Sequence, residues 1–387
     1  EREATQEEIR KMCDIVREAM RAGALGISSS YVDIDENGDP VPSRFADLGE
    51  KVALAQAMGE SGRGIWQVVP YFPDMKQQLD NIRELGDISL AANVPCSLQP
   101  VLSSPTSPNA EELIEALEKE QARGARVFGQ TMPRCFDLNM RLSETSMLLY
   151  ALPRWKKIMD LPREQRLEQF KEQKSELVNE MKDAKGMSGS IPFLKVGSVK
   201  SDENQRYQGQ YLGSIAQEEN KELGEVILDL SIRDDLDTEF QLQNVINADK
   251  QAVAKIVSHP LCHFGASDAG AHITQFCGTG DTSHLLQHYV RETSTFSLEE
   301  AIHKMTGELA VDWGLADRGT LEEGKAADIV IFNSDTVSVG KEEFVDDFPG
   351  EARRYVRKSE GYDVVIVNGA IAYQDGRYTE TLNGRVV

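Results

Sequence analysis

Histidine is scarce in this sequence and confined to one stretch: all six lie between His259 and His303, and the first 258 residues contain none. A site built on paired histidines therefore cannot come from the amino-terminal part of the chain. Positive charge is also in deficit, with 42 Lys and Arg against 64 Asp and Glu, a formal net charge of −22. Such a field repels phosphate backbones and anionic headgroups, which argues against nucleic acid or a membrane surface as partner; solubility accounts for the excess acid. The five cysteines (Cys13, Cys96, Cys135, Cys262, Cys277) are odd in number, dispersed and never in a CxxC pair. Neither a disulfide framework nor a zinc ribbon is expected, and a reducing, cytoplasmic compartment is the simpler assumption. No apolar run is long enough to span a bilayer. Because the first residue is Glu1 rather than methionine, a missing signal peptide carries no weight.

What is present describes a globular protein: 387 residues, 40% apolar and 27% charged, enough for one large core or two moderate ones. Thr5 and Glu8 stand at capping-box spacing ahead of Ile9, Met12, Cys13, Val16 and Met20, with Gly23 as a stop. That is an amphipathic helix. The run ALGISSSY follows, apolar at its start and without alternation, as in a strand buried on both faces. The couplet recurs: EKVALAQAMGES before GIWQVVPYF (64–72), KQQLDNIRELGD before VPCSLQPVL (94–102), AEELIEALEKEQARG before ARVFGQTMP (125–133), and ADKQAVAKIVSH before CHFGASD. Five helix-then-strand units predict an α/β fold with a parallel sheet or barrel. Residues 134–250 interrupt the rhythm with charged, helix-rich sequence, either a lid over the site or a solvated insertion. Residues 1–315 thus form the α/β part.

Ser297 and Glu300 make a second capping box before AIHKMTG and ELAVDWGL. Residues 316–387 change character, with alternating strands, Asn368-Gly369 and Asp375-Gly376 as tight-turn signals, and the look of a small all-β module.

Asp268 ends the small-residue run HFGASD and is the leading catalytic candidate. An aspartate where a barrel strand ends points into the mouth, where it can move a proton; the alternative is a helix cap. Alternation puts residues 264, 266 and 268 on one face and His263 with 265 and 267 on the other, so His263 is expected to face helices as a structural residue. His272 lies past the strand end and can reach substrate. His284 and His288, four apart, have metal-ligand spacing but no accompanying HExxH glutamate. The run Ser28-Ser29-Ser30 ends a strand, and Ser29 and Ser30 above all can bond substrate or merely shape a turn. Gln67 and Gln99 sit in otherwise apolar strands and need partners, at the barrel mouth or between strands. Arg44 suits a substrate carboxylate, or is a surface charge.

GALGISSSY, VPSRFA, FGASDAGAH, KMTGELAVDWGLADRGTLEEGKAADIVIFN and VIVNGAIAYQDGRYTETLNGRV resemble, in order and spacing, the carboxyl-terminal two-thirds of the N-acyl-D-amino-acid deacylases (D-aminoacylases) of the amidohydrolase superfamily. The resemblance implies a metal-dependent (β/α)8 TIM-type barrel, here only about strands 4–8, joined to a β-sandwich of which 316–387 is the carboxyl-terminal part. It implies hydrolysis of a C–N amide bond in an N-acyl-D-amino acid or similar small amide. Asp268 would be general acid/base and a ligand of zinc or another divalent metal, which polarises the amide carbonyl.

The departures are equally specific. The family's paired histidines and bridging cysteine belong to strands before this chain's first helix, so the other metal ligands are expected amino-terminal to this chain, and the chain alone is expected to bind metal weakly or not at all. GIWQVVPYF and VPCSLQPVL lack the histidines that the well-studied deacylases carry there, and Gln67 and Gln99 are poor zinc ligands. Cys96 opens its strand and does not take the bridging role. Unpaired sheet edges before ALGISSS and beside HFGAS invite association, so a homo-oligomer is possible. A cyclic-amide hydrolase of hydantoinase or dihydroorotase type, and a non-catalytic scaffold, are the rival expectations.

Overall fold

The structure, a computed structural model, describes residues 2–35, 39–71, 74–103, 110–184, 186–265 and 267–386. Helix α1 (Gln6–Ala22) starts as its spacing predicts: Thr5 Oγ1 accepts from the Glu8 amide, and the Glu8 carboxylate accepts from the Thr5 amide. It stops at Gly23 in the left-handed region, φ 112°. Strand β1 (Gly26–Ser30), α2 (Leu48–Gly59), β2 (Ile65–Val69), α3 (Met75–Ala92), β3 (Cys96–Leu98), α4 (Ala110–Ala122) and β4 (Val127–Thr131) follow in strict alternation. Phe72, the last residue of the expected second strand, and Ala266 lie outside the described residues.

Between β4 and the last parallel strand the chain builds an antiparallel sheet in the order β5-β7-β6, from β5 (Phe136–Met140), β6 (Lys195–Val196) and β7 (Phe240–Ile246). Helices Pro153–Met159, Arg163–Glu172, Lys174–Met181 and Leu223–Arg233 join it around a core that includes Leu138, Trp155, Phe170, Ile227 and Phe240. The helices match the charged sequence expected there; the sheet was not foreseen. Helix Lys250–Ser258 then leads into β8 (Cys262–Phe264), which pairs with β4. The result is one five-stranded parallel sheet, β1-β2-β3-β4-β8.

Hydrophobic burial decides which way this sheet faces. Val68, Leu98, Val127 and Cys262 are buried against Met58, Ile82, Leu85 and Leu117 of α2–α4. Strand alternation sends their neighbours to the opposite, inner face. Ser28, Gln67, Ser97 and Phe128 are in register there, and Gln130 pairs with His263. The expectation that β1 is buried on both faces fails, since Ser28 is exposed. Gly26 permits the close approach of β1 to β2, because a Cβ there would lie 2.1 Å from the Ile65 carbonyl oxygen.

The carboxyl-terminal strands are β9 (Ile329–Phe332), β10 (Ser338–Phe348), β11 (Ala352–Glu360), β12 (Tyr362–Val367), β13 (Ala370–Gln374) and β14 (Arg377–Tyr378). They form a four-stranded sheet, β14-β13-β12-β9, and a separate β10–β11 hairpin. Asn368-Gly369 and Asp375-Gly376 make the tight turns their residue types predict, with positive φ at all four residues (46°, 80°, 50° and 80°). The long hairpin had no clear sequence signal. It leaves the β sheet to contact the α/β part: the Tyr355 amide donates to the Ile273 carbonyl at 2.7 Å, and Arg353 Nη2 donates to Glu144 (2.6 Å) and Asp237 (2.8 Å). Among the described residues no helix is long and apolar enough to cross a membrane.

Candidate functional site

Two depressions flank β8. The first lies on the inner face of the sheet, a cavity of about 260 Å³ lined by Gly26, Ser28, Gln67, Gln99, Gln130 and Trp313 among others. Ser28 Oγ donates to Gln67 Oε1, and Gln130 Nε2 donates to Ser97 Oγ at 2.8 Å. These bonds run across neighbouring strands, because parallel register places polar side chains side by side at each level of the sheet.

The second, of about 360 Å³, opens where the chain leaves β8, with Phe264, Gly265, Ser267, Ala269, Gly278 and Asp281 in its wall. Asp268 belongs to this exit loop. Its backbone is left-handed, φ 49°, and its side chain is exposed with no hydrogen-bond partner among the described residues. The loop is nevertheless held in place. A Cβ on Gly278 would lie 2.0 Å from the Ser267 carbonyl oxygen, so only glycine allows this packing. Glu342 of β10 accepts from the Cys277 amide (3.0 Å), from Asn139 Nδ2 (3.2 Å) and from Arg357 (3.1 Å). Arg134 pairs with Asp281 at 2.5 Å; burial nonetheless pushes the Asp281 carboxyl above its ordinary value, against the pull of Arg134.

His263 corrects the expectation in its side, not in its surroundings. It projects to the inner face rather than towards α2–α4, and there it meets a helix all the same: fully buried, it stacks on Phe128 at 4.8 Å with Nε2 2.8 Å from Asp312 Oδ2 of helix Gly307–Asp312. Among the described residues neither ring nitrogen has an aligned hydrogen-bond partner. Alternation was correctly applied but anchored to the wrong side. Cys262, not His263, seats in the helix-facing core, and Asp268 lies beyond the last strand residue, where parity no longer extends.

His284 and His288 stack on each other at 5.3 Å, and His288 Nδ1 lies 2.8 Å from Glu292. Burial first, then the neighbouring His288, drives His284 down from its usual 6.5 to about 4. The folded chain therefore favours neutral His284, and its protonation costs stability that is intact above pH 6.5 and progressively lost as pH falls towards 4. His284→Gln is expected to lose less stability than the parent over that interval, which thermal melting across pH measures.

Of the residues singled out in the sequence, Gln67 and Gln99 come together in the inner cavity. Ser29 stands on the opposite side of β1 from Ser28, which is the serine that reaches Gln67. Ser30 accepts from the amides of Val32 (3.1 Å) and Asp33 (3.0 Å), as a turn residue does. Arg44 Nη1 donates to the carbonyls of Val32 and Asp33, both at 3.3 Å, and its guanidinium lies over the Tyr71 ring at 5.8 Å. His272 is exposed, also at positive φ (50°), with its ring 5.7 Å from that of Phe276. Gln130 and Trp313 were missed. The first was legible from strand alternation; Trp313 was not, because it reaches the cavity from the helical segment after β8.

Zinc takes imidazole, thiolate and carboxylate ligands. Among the described residues no three or more His, Cys, Asp or Glu side chains are grouped to hold a metal ion. The inner strand ends carry neutral amides, and burial pushes the Cys96 and Cys262 thiols up to about 12, which disfavours thiolate. The described residues do not by themselves fit a zinc site.

A five-stranded parallel sheet alternating with helices, in the order β1-β2-β3-β4-β8, is the α/β arrangement from which barrels are built. A family model described as "Amidohydrolase family" matches residues 1–373, and the chain belongs to that family. It is 40% identical over 94 residues to N-acyl-D-aspartate deacylase of Alcaligenes xylosoxydans xylosoxydans, covering 23% of this chain and 18% of that one. With D-aminoacylase of the same organism identity is 37% over 108 residues, covering 28% and 20%. The crystal structure of D-aminoacylase described as defining a novel subset of amidohydrolases superposes with a TM-score of 0.60 at 22% identity, over 98% of this chain and 66% of that one. N-acyl-D-glutamate deacylase from Bordetella bronchiseptica, complexed with zinc and a phosphonate inhibitor, gives 0.62 at 19% identity, over 97% and 65%. The chain thus spans about two thirds of these structures' length, and they support the barrel-type fold.

Proposed function

We propose that this chain serves the hydrolysis of a C–N amide bond in an N-acyl-D-amino acid or a similar small amide, with Asp268 as the group that moves the proton. The observation that carries the reading is the placement of Asp268: an exposed carboxylate, unpaired among the described residues, on the loop leaving a parallel strand. From there it can take the proton of an attacking water and hand it to the departing nitrogen. Membership of the amidohydrolase family and the deacylases matched above support this chemistry. A divalent metal, if bound, would polarise the amide carbonyl, and its remaining ligands would lie outside the described residues. A non-catalytic scaffold is the second reading, favoured by the amide-lined inner face.

The test is an amidase assay of the full gene product supplied with zinc, using N-acetyl-D-amino acids and their L-enantiomers. D-selective release of free amino acid is expected. Ring opening of a hydantoin in its place, or no turnover with any amide, would overturn the proposal.

A further inference from the structure

The loop that carries Asp268 has two arms of opposite character. Residues 268–272 are exposed, whereas Gln275, Phe276, Cys277 and Gly278 are buried. The exposed arm is a pair of tight turns: the Ala271 amide donates to the Asp268 carbonyl at 2.9 Å, and the Gln275 and Phe276 amides donate to that of His272 at 2.7 and 3.2 Å. Asp268 and His272, with φ of 49° and 50°, both lie in the left-handed region. Two such non-glycine residues keep that shape only where the surroundings impose it.

The buried arm supplies those surroundings. Gly278 lies against the Asp268 peptide itself, since a Cβ there would fall 2.7 Å from the Ala269 nitrogen and 2.8 Å from the Asp268 carbonyl carbon. The other side of the arm is seated in the 134–250 insertion. Phe276 belongs to the insertion's core and meets Phe136 edge-on at 4.7 Å. Gln275, only 2% exposed, is bonded twice: its carbonyl oxygen accepts from the Asn139 amide at 2.7 Å, and its side-chain Oε1 accepts from the Met147 amide at 2.8 Å. Met147 opens a 3-10 turn (Met147–Leu149), so its amide has no acceptor within the turn.

We infer that Gln275 is a positioning residue for Asp268, keying the loop to the insertion so that Gly278 holds the Asp268 peptide in one place. The inference rests on the proton-moving role proposed for Asp268, and it gives the insertion a part in that role. Glutamine suits the task because its oxygen reaches the Met147 amide as a neutral acceptor and brings no charge into a buried place. Loss of that oxygen leaves the Phe276 packing and the Asn139 bond intact, so the loop stays docked but is no longer fixed in register.

The experiment compares Gln275→Met, which keeps the length and loses the acceptor, with Gln275→Glu, which keeps an oxygen at the same reach. In the isotopically labelled 387-residue chain, NMR is expected to show the Ala271 and Phe276 amides exchanging about tenfold faster in Gln275→Met, with the Asp268 Cγ resonance displaced and α1 unchanged. In the full gene product the same variant should lower kcat about tenfold at unchanged KM, as misplacement of a reacting group does, and Gln275→Glu should restore most of the loss. Parental exchange and an unmoved Asp268 resonance in Gln275→Met would overturn the inference whether or not any amide is turned over. Parental kcat in Gln275→Met beside a loss in Asp268→Asn would overturn it as well. A loosened loop in Gln275→Met together with parental turnover in Asp268→Asn supports the keying and sinks the proposed reaction instead. If Gln275→Met fails to fold, Gln275→Asn, whose oxygen stops one methylene short of the Met147 amide, takes its place.

Discussion

Asp268→Asn in the active full gene product is expected to lower kcat by about 10²–10⁴, the usual worth of a positioned general acid/base. KM should change little and the melting temperature hardly at all. The substitution is unusually clean at this position. Asp268 sits at φ 49°, in the left-handed region, and asparagine tolerates that conformation as well as aspartate does. The side chain is exposed and has no hydrogen-bond partner among the described residues, so the fold loses no contact there. Asp268→Ala would be a poorer choice, since it adds backbone strain to the loss of the carboxylate. Steady-state kinetics with thermal melting on the same samples make the check, and an asparagine variant with parental turnover would sink the role assigned to Asp268.

Glu239→Ala is expected to cost about 3–5 kcal/mol of stability, the penalty for leaving one half of a buried ion pair without its partner. Glu239 and Arg141 have side chains only 9% and 8% exposed and meet at 2.7 Å. Glu239 also accepts from Tyr355 Oη at 2.5 Å and from the Ser198 amide at 3.1 Å. Arg141 donates in addition to the Asp237 carbonyl at 2.7 Å. Removing the carboxylate therefore strands a guanidinium, a phenol and an amide together. Tyr355→Phe should cost about 1 kcal/mol, since it removes one hydrogen bond and no charge. Arg141→Met combined with Glu239→Leu should be milder than either charge deletion alone. Denaturant unfolding of Glu239→Ala, Tyr355→Phe, Arg141→Met alone and the double variant gives the order, and Glu239→Ala matching the parent would refute the account.

The same cluster confers acid sensitivity. Burial alone would raise the Asp237 carboxyl, but hydrogen bonds from Arg353, Lys200 and Ser143 outweigh it and hold the group well below the usual carboxylate range. Its contribution is therefore present above pH ~4 and is lost as pH falls further.

The helix-then-strand rhythm was legible because buried strands and amphipathic helices leave distinct periodicities, and all five parallel strands fall inside the expected segments. Capping at Thr5 and the Asn368-Gly369 and Asp375-Gly376 turns were legible because each depends on residue type at fixed spacing. Sidedness was not. In CHFG either Cys262 or His263 can face the helices, and the choice is made by packing against elements remote in sequence. For the same reason the run Ser28-Ser29-Ser30 did not reveal that Ser28 alone reaches Gln67, and the carboxylate–arginine cluster was invisible: Arg141, Glu239 and Tyr355 come from three separate segments. Asp268 was singled out because its local sequence resembles a known motif, whereas the glutamine layer needed the register between strands.

The clamp on the Asp268 loop changes what counts as near to it. Gly278 presses on Ser267, Glu342 and Arg357 hold Cys277, and the Tyr355 amide holds Ile273. Apart from Gly278, the residues of this clamp thus sit in a hairpin far along the chain. Sequence variation in that hairpin would loosen the loop that carries Asp268. Drift in β10 or β11 can therefore move the loop without altering any of its own residues.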